Sequence, residues 1–112
     1  MFKQKKVAGI DMVKIARFAQ FTTPEDAFLK KVFSQNELAY CFSYKDTAPH
    51  LAGHFALKEA ASKALGTDKY PYIEIEVFHE KNGAPYVCHK GKRLPLAVSL
   101  SHTETDAIAI AV

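Results

Sequence analysis

Cysteine is scarce in this 112-residue chain: Cys41 and Cys88 are the only two. They form no CxxC pair and are too few for a disulfide framework, which excludes a small disulfide scaffold or a zinc ribbon. Cys41 falls in a helical run and reads as a small buried hydrophobe. No apolar run reaches the roughly 20 residues of a membrane span. The opening Met1-Phe2-Lys3-Gln4-Lys5-Lys6 is not followed by the apolar stretch of a secretory leader. The expectation is a soluble, cytoplasmic protein with reduced thiols and no membrane partner. No GxGxxG or Walker A phosphate loop occurs, and no HExxH. Charge of one sign is also in short supply: 15 Lys and Arg face 12 Asp and Glu, a net +3. That is too mild to indicate nucleic acid, but it suits a phosphate-bearing ligand or an acidic protein partner.

What is present reads as one domain over residues 1–112, with hydrophobic content of 48% and no linker, repeat or low-complexity tract. Val7-Ala8-Gly9-Ile10-Asp11 reads as a short strand ending in an acid. From Met12, apolar residues at 12, 15, 16 and 19 recur at helical spacing. Thr23-Pro24-Glu25-Asp26 has capping-box-like spacing, and Ser34-Gln35-Asn36-Glu37 is a better box that starts a helix carrying Leu38, Cys41 and Phe42. Thr47 to Pro49 introduces a long helix of strong helix formers that ends at Gly66, where a left-handed cap belongs. Beyond it the period becomes two. Ile73, Ile75 and Val77 alternate with glutamates, Asn82-Gly83 marks a hairpin, and Pro85 to Cys88 is its return strand. His89 to Arg93 reads as a solvated basic loop. Leu96, Val98 and Leu100 form one face of a third strand, and Ile108, Ile110 and Val112 one face of a fourth. Helices early and strands late give an α+β class, with the N-terminal strand and helices packed on a largely antiparallel sheet.

Three pieces carry chemistry. Asp11 sits at a strand end, Glu59 and Lys63 lie one turn apart on the long helix among apolar neighbours, and Ser101-His102 closes a strand. Two carboxylates without nearby thiolates suit a hard cation such as magnesium, with water and phosphate oxygens completing its shell. A lysine beside them acts as a point charge on phosphate. Each has a plain structural alternative: a solvated i,i+4 Glu–Lys pair, Asp11 as a helix N-cap, and His102 as a turn residue. His50 and His54 also have metal-ligand spacing, without the intervening glutamate or a third ligand.

Taken together these residues resemble the phosphopantetheinyl transferases, specifically the small holo-acyl-carrier-protein synthase group. Gly9-Ile10-Asp11 with Arg17 is similar to that family's N-terminal motif. Phe33-Ser34-Gln35-Asn36-Glu37-Leu38 is similar to its middle segment. Residues 55–66, FALKEAASKALG, match its signature, and Ser99-Leu100-Ser101-His102 resembles its C-terminal motif. The four motifs occur in order over most of the chain. The resemblance implies transfer of 4′-phosphopantetheine from coenzyme A to a serine of apo acyl carrier protein, releasing 3′,5′-ADP. It implies magnesium held by Asp11 and Glu59, and catalysis by Glu59 and Lys63. It implies coenzyme A contacts at Lys63, Gly66, Ser101, His102 and position 54, acidic carrier protein meeting Arg17 and Lys14, and a homotrimer with shared sites. The alternative is a non-catalytic homologue that binds coenzyme A or the carrier. Many members have arginine where this chain has His54. An imidazolium there would strengthen coenzyme A affinity as pH falls from about 8 toward 6.

Overall fold

The computed structural model describes residues 7–66 and 70–112; the N-terminal hexapeptide read above lies outside them. Strand β1 (Gly9–Lys14) leads into a 3-10 turn (Ile15–Phe18), then helices α1 (Ala27–Val32), α2 (Gln35–Phe42) and α3 (Ala48–Leu65). A second 3-10 turn (Tyr72–Glu74) precedes β2 (Ile75–His79), β3 (Pro85–His89), β4 (Lys92–Arg93), β5 (Val98–His102) and β6 (Asp106–Ala111). The strands form two three-stranded sheets, β1-β6-β5 and β2-β3-β4, with every pairing antiparallel.

Helix α3 is the centre of the core. Leu51 to Lys58, Ala60 and Ala61 are all buried, so it is covered nearly all round rather than along one stripe. It lies very close to the first sheet because both surfaces are small. Ala107, Ala109 and Ala111 of β6 face inward and are at most 1% exposed. At Gly9 a Cβ would fall 1.8 Å from the Ala60 carbonyl oxygen, so only glycine permits this approach. The large residues expected to share a face of β6 do share one, and it is the outer face. Ile108, Ile110 and Val112, with Ile10 and Met12 of β1, are exposed.

Local signals predict the elements well where the chain itself satisfies its hydrogen bonds. Both halves of the Ser34–Glu37 capping box form, and Gly66 caps α3 at φ 71°. Elsewhere tertiary pairing prevails. The helical spacing from Met12 yields no α-helix. β1 pairs with β6 from Gly9↔Ala111 to Lys14↔Asp106, so the strand runs past Asp11 and only a 3-10 turn follows. Asp26, not Thr23, caps α1, accepting from the Phe28 and Leu29 amides. The basic loop is a second hairpin, closed by Lys90 (φ 49°) and Gly91 (φ 81°), as a type I′ turn demands. Ile73 falls in a 3-10 turn, closed by the Glu74 amide donating to the Pro71 carbonyl at 2.9 Å, and is exposed. Among the described residues no helix is long and apolar enough to cross a membrane.

Candidate functional site

The close approach at Gly9 sets the site. With a period of two, Gly9, Asp11 and Val13 face α3 together, which brings Asp11 beside Glu59 and Lys63. Lys63 Nζ donates to the Ile10 carbonyl at 2.9 Å and to Asp11 Oδ1 at 3.3 Å. The ion pair of Lys63 is thus with Asp11, 52 residues away in sequence, and it does more than decorate a solvated helix face. The N-cap reading of Asp11 fails because the residue lies inside β1.

The carboxyl of Glu59 is pushed up to about 7, first by burial and then by its hydrogen bond with, and the charge of, Asp11; Lys63 and Arg17 pull the other way. Asp11 Oδ2 is buried and has no hydrogen-bond partner among the described residues. Two facing carboxylates, one with an orphaned buried oxygen, are electrostatically frustrated as they stand. A hard divalent cation relieves that frustration, and one or two protein carboxylates are what magnesium ordinarily takes. The residues present therefore fit the ion. Arg17, in the first 3-10 turn, lies 5.3 Å from the Phe55 ring centre and 5.8 Å from that of Phe18.

Tyr72 belongs to this cluster, although nothing in the sequence marked it. Its acidity is suppressed by burial and then by the charges of Glu59 and Asp11. Lys58 of the signature, to which sequence reading gave no task, holds its backbone carbonyl. Lys58 is fully buried. Its three donors meet Glu37 Oε1 at 2.7 Å, the Tyr72 carbonyl at 2.9 Å and the Ile75 carbonyl at 2.7 Å. Glu37 in turn accepts from the amides of Ser34 (2.8 Å) and Val77 (2.9 Å). Lys58 is thus a core tie between α2, α3 and β2.

The remaining expected residues fall elsewhere. His54 and His102 line one cavity of about 190 Å³ with Tyr40, His50, His79 and Leu100. Leu100 faces inward against Gly53, so Ser101 points to the opposite face of β5, where it pairs across from Ile108. Gly66 follows Lys63 at the end of α3, its backbone amide donating to the Lys63 carbonyl at 3.0 Å. Lys14 pairs with Asp106 at 3.1 Å. A hollow of about 310 Å³ lies between Arg17, Phe18, Phe21 and Phe28. A larger one, about 450 Å³, lies beside α1 and α2 and contains none of Asp11, Glu59, Lys63 or Tyr72. Size does not locate the chemistry here.

His54 corrects the pH expectation. Its Nδ1 lies 2.8 Å from the His50 carbonyl; a carbonyl only accepts, so Nδ1 carries the proton. Nε2 is buried and has no partner among the described residues. Burial, above all, pushes its pKa down to about 3, so His54 stays neutral between pH 8 and 6 and cannot supply the imidazolium anticipated there. Nor do His50 and His54 make a metal centre: among the described residues no group of three or more His, Cys, Asp or Glu side chains is arranged to hold an ion. The depressed value has a stability consequence. The folded state excludes a proton that the unfolded chain accepts near pH 6.5, so the contribution is complete above that pH and is lost as pH falls toward 3. Unfolding free energy is expected to drop by about 2 kcal/mol from this group between pH 7.5 and 5. Denaturant titrations of wild type and His54→Gln at both pH values check it. Equal slopes with pH would contradict the buried neutral imidazole.

A family model for the 4′-phosphopantetheinyl transferase superfamily matches residues 8–112. The holo-[acyl-carrier-protein] synthase of Enterococcus faecalis is 43% identical over 108 residues, covering 93% of this chain and 92% of its own. Among solved structures, the Bacillus anthracis synthase in complex with CoA (3′,5′-ADP) superposes with a TM-score of 0.79 at 28% identity, covering 94% of this chain and 92% of its own. The Helicobacter pylori synthase in complex with coenzyme A gives 0.78 at 32% identity, covering 94% and 97%.

Proposed function

Because the chain belongs to the 4′-phosphopantetheinyl transferase superfamily, we propose that it transfers 4′-phosphopantetheine from coenzyme A to a serine of apo acyl carrier protein, with 3′,5′-ADP as the other product. The observation that carries this reading is the orphaned Asp11 Oδ2 beside Glu59, with Lys63 held against the same aspartate. The names of the relatives, and their complexes with coenzyme A, supply the substrate class.

The serine oxygen forms a bond to the phosphorus that bears pantetheine, and the bond from that phosphorus to the ADP oxygen breaks. Asp11 and Glu59 would hold a magnesium ion, which supplies positive charge to the pyrophosphate. Lys63 adds its ammonium to the same oxygens as charge moves onto the leaving group. Glu59 accepts the serine proton, directly or through a water. Gly66, Ser101, His102 and the neutral His54 are the coenzyme contacts of this reading. Arg17, beside the Phe21 and Phe28 hollow, offers charge and apolar area to acidic residues of the carrier protein, with Lys14 nearby. The exposed outer row of Ile10, Met12, Ile108, Ile110 and Val112 supports assembly of copies into a homotrimer, since such a row is better covered than solvated. The reaction belongs to the cytoplasm.

Transfer is expected to vanish with a chelator and to return with magnesium or manganese, followed by release of 3′,5′-ADP. Undiminished turnover in a rigorously metal-free preparation would remove the ion from the account.

A further inference from the structure

The geometry points to Lys63 as an internal cation that competes with the metal ion for Asp11 and, because coenzyme phosphates can draw it away, couples ion binding to coenzyme binding. The inference rests on the magnesium reading above. Lys63 Nζ is seated on Asp11 Oδ1 at 3.3 Å and on the Ile10 carbonyl at 2.9 Å, two neighbouring acceptors of β1. Both are within its reach because α3 lies so close to that strand at Gly9. The partners differ in access: the Lys63 side chain is 56% exposed and that of Asp11 only 12%. The carboxylate is thus enclosed by the protein, and the ammonium covers it from the solvent side. Like charges on one carboxylate repel, so Lys63 either weakens the hold of Asp11 on a second cation or gives up both its bonds to admit one. Its exposed, flexible stem lets it leave without backbone movement. The pyrophosphate of coenzyme A offers it replacement oxygens that also carry charge. Once drawn there, Lys63 no longer opposes a cation on Asp11, and by linkage each ligand strengthens the other. One ammonium thus neutralises Asp11 before the coenzyme binds and serves the phosphates afterwards.

The test uses Mn²⁺ as the probe, titrated into the full chain and read by loss of the free-ion electron paramagnetic resonance signal. Lys63→Met removes the charge and keeps the helix, since methionine is a good helix former. It is expected to bind Mn²⁺ about 10-fold more tightly than wild type, within the usual range of coupling between sites, and Lys63→Gln is expected to do the same. Damage to the site cannot produce such a gain. Lys63→Arg keeps the charge and is expected to bind no more tightly than wild type. Lys14→Met removes a lysine of the same strand as Asp11, one that pairs with Asp106 at 3.1 Å instead, and is expected to bind as wild type does. Saturating coenzyme A, with its own Mn²⁺ uptake subtracted from a protein-free titration, is expected to remove most of the gap between wild type and Lys63→Met. Wild-type or weaker affinity in both Lys63→Met and Lys63→Gln, equal tightening in Lys63→Arg or Lys14→Met, or a gap undiminished by coenzyme A would each overturn the inference. If neither wild type nor Lys63→Met binds Mn²⁺, the metal reading beneath it falls instead.

Discussion

Replacing Glu59 with glutamine is expected to reduce transfer by about 10²- to 10⁴-fold, the range over which a positioned acid or base contributes, while leaving the fold in place. Glutamine is as good a helix former as glutamate, and Glu59 is not fully enclosed. The stability outcome has a definite sign. In the metal-free fold the Glu59 carboxyl sits at about 7, raised by burial and by Asp11. A raised acid favours the folded state at low pH and disfavours it once the group ionises. Above pH 7 the metal-free Glu59→Gln protein should therefore melt no lower than wild type, and higher if the repulsion from Asp11 dominates. Loss of activity with retained or increased stability is what a site held in electrostatic frustration produces. Transfer within about threefold of wild type would remove Glu59 from both its roles; the check is kcat alongside thermal melting in chelator.

The second large effect concerns stability alone. Glu37→Leu leaves the fully buried Lys58 ammonium without its countercharge and strips the Ser34 and Val77 amides of their acceptor. Burial already pushes Glu37 up and Lys58 down against their mutual attraction, so neither charge tolerates losing the other. Breaking such a pair from one side costs about 3–5 kcal/mol. That is a large share of the roughly 5–15 kcal/mol that keeps a domain folded. Replacing both partners, Glu37→Leu with Lys58→Met, should recover part of the loss, because no uncompensated charge remains. Guanidinium titrations at one fixed protein concentration compare wild type with both variants. A loss below about 1 kcal/mol in Glu37→Leu would mean that the pair is not buried as described.

These two residues mark the limits of sequence reading here. Glu37 was legible as the third position of a capping box, because the box is closed by neighbours in the chain. Its bonds to Val77 and Lys58 span long stretches of sequence and could not be read from spacing. The same contrast runs through the fold. The limits of α3, its Gly66 cap and the turn at Asn82-Gly83 are local and were readable. The extension of β1 past Asp11 depends on β6, almost a hundred residues later, which overrode the helical spacing from Met12. At the site, residue type suggested a hard cation, and the family resemblance, which the family match and the solved structures bear out, joined Asp11 to Glu59 and Lys63. The physical join is Gly9 against Ala60, a packing fact with no periodicity of its own. Tyr72 was invisible because its region alternates like a strand, whereas the chain there folds into a 3-10 turn after Pro71. His54 was misjudged because the ordinary imidazole pKa applies only in water, and the residue is 2% exposed.

The most direct test of the central claim is the intact mass of the carrier. Apo acyl carrier protein incubated with this protein, coenzyme A and magnesium should gain the mass of one phosphopantetheinyl group on its serine, and should gain none when chelator replaces the metal. A carrier mass that stays at the apo value with magnesium present, while coenzyme A still binds the protein, would contradict the account and identify the chain as a binding homologue without turnover.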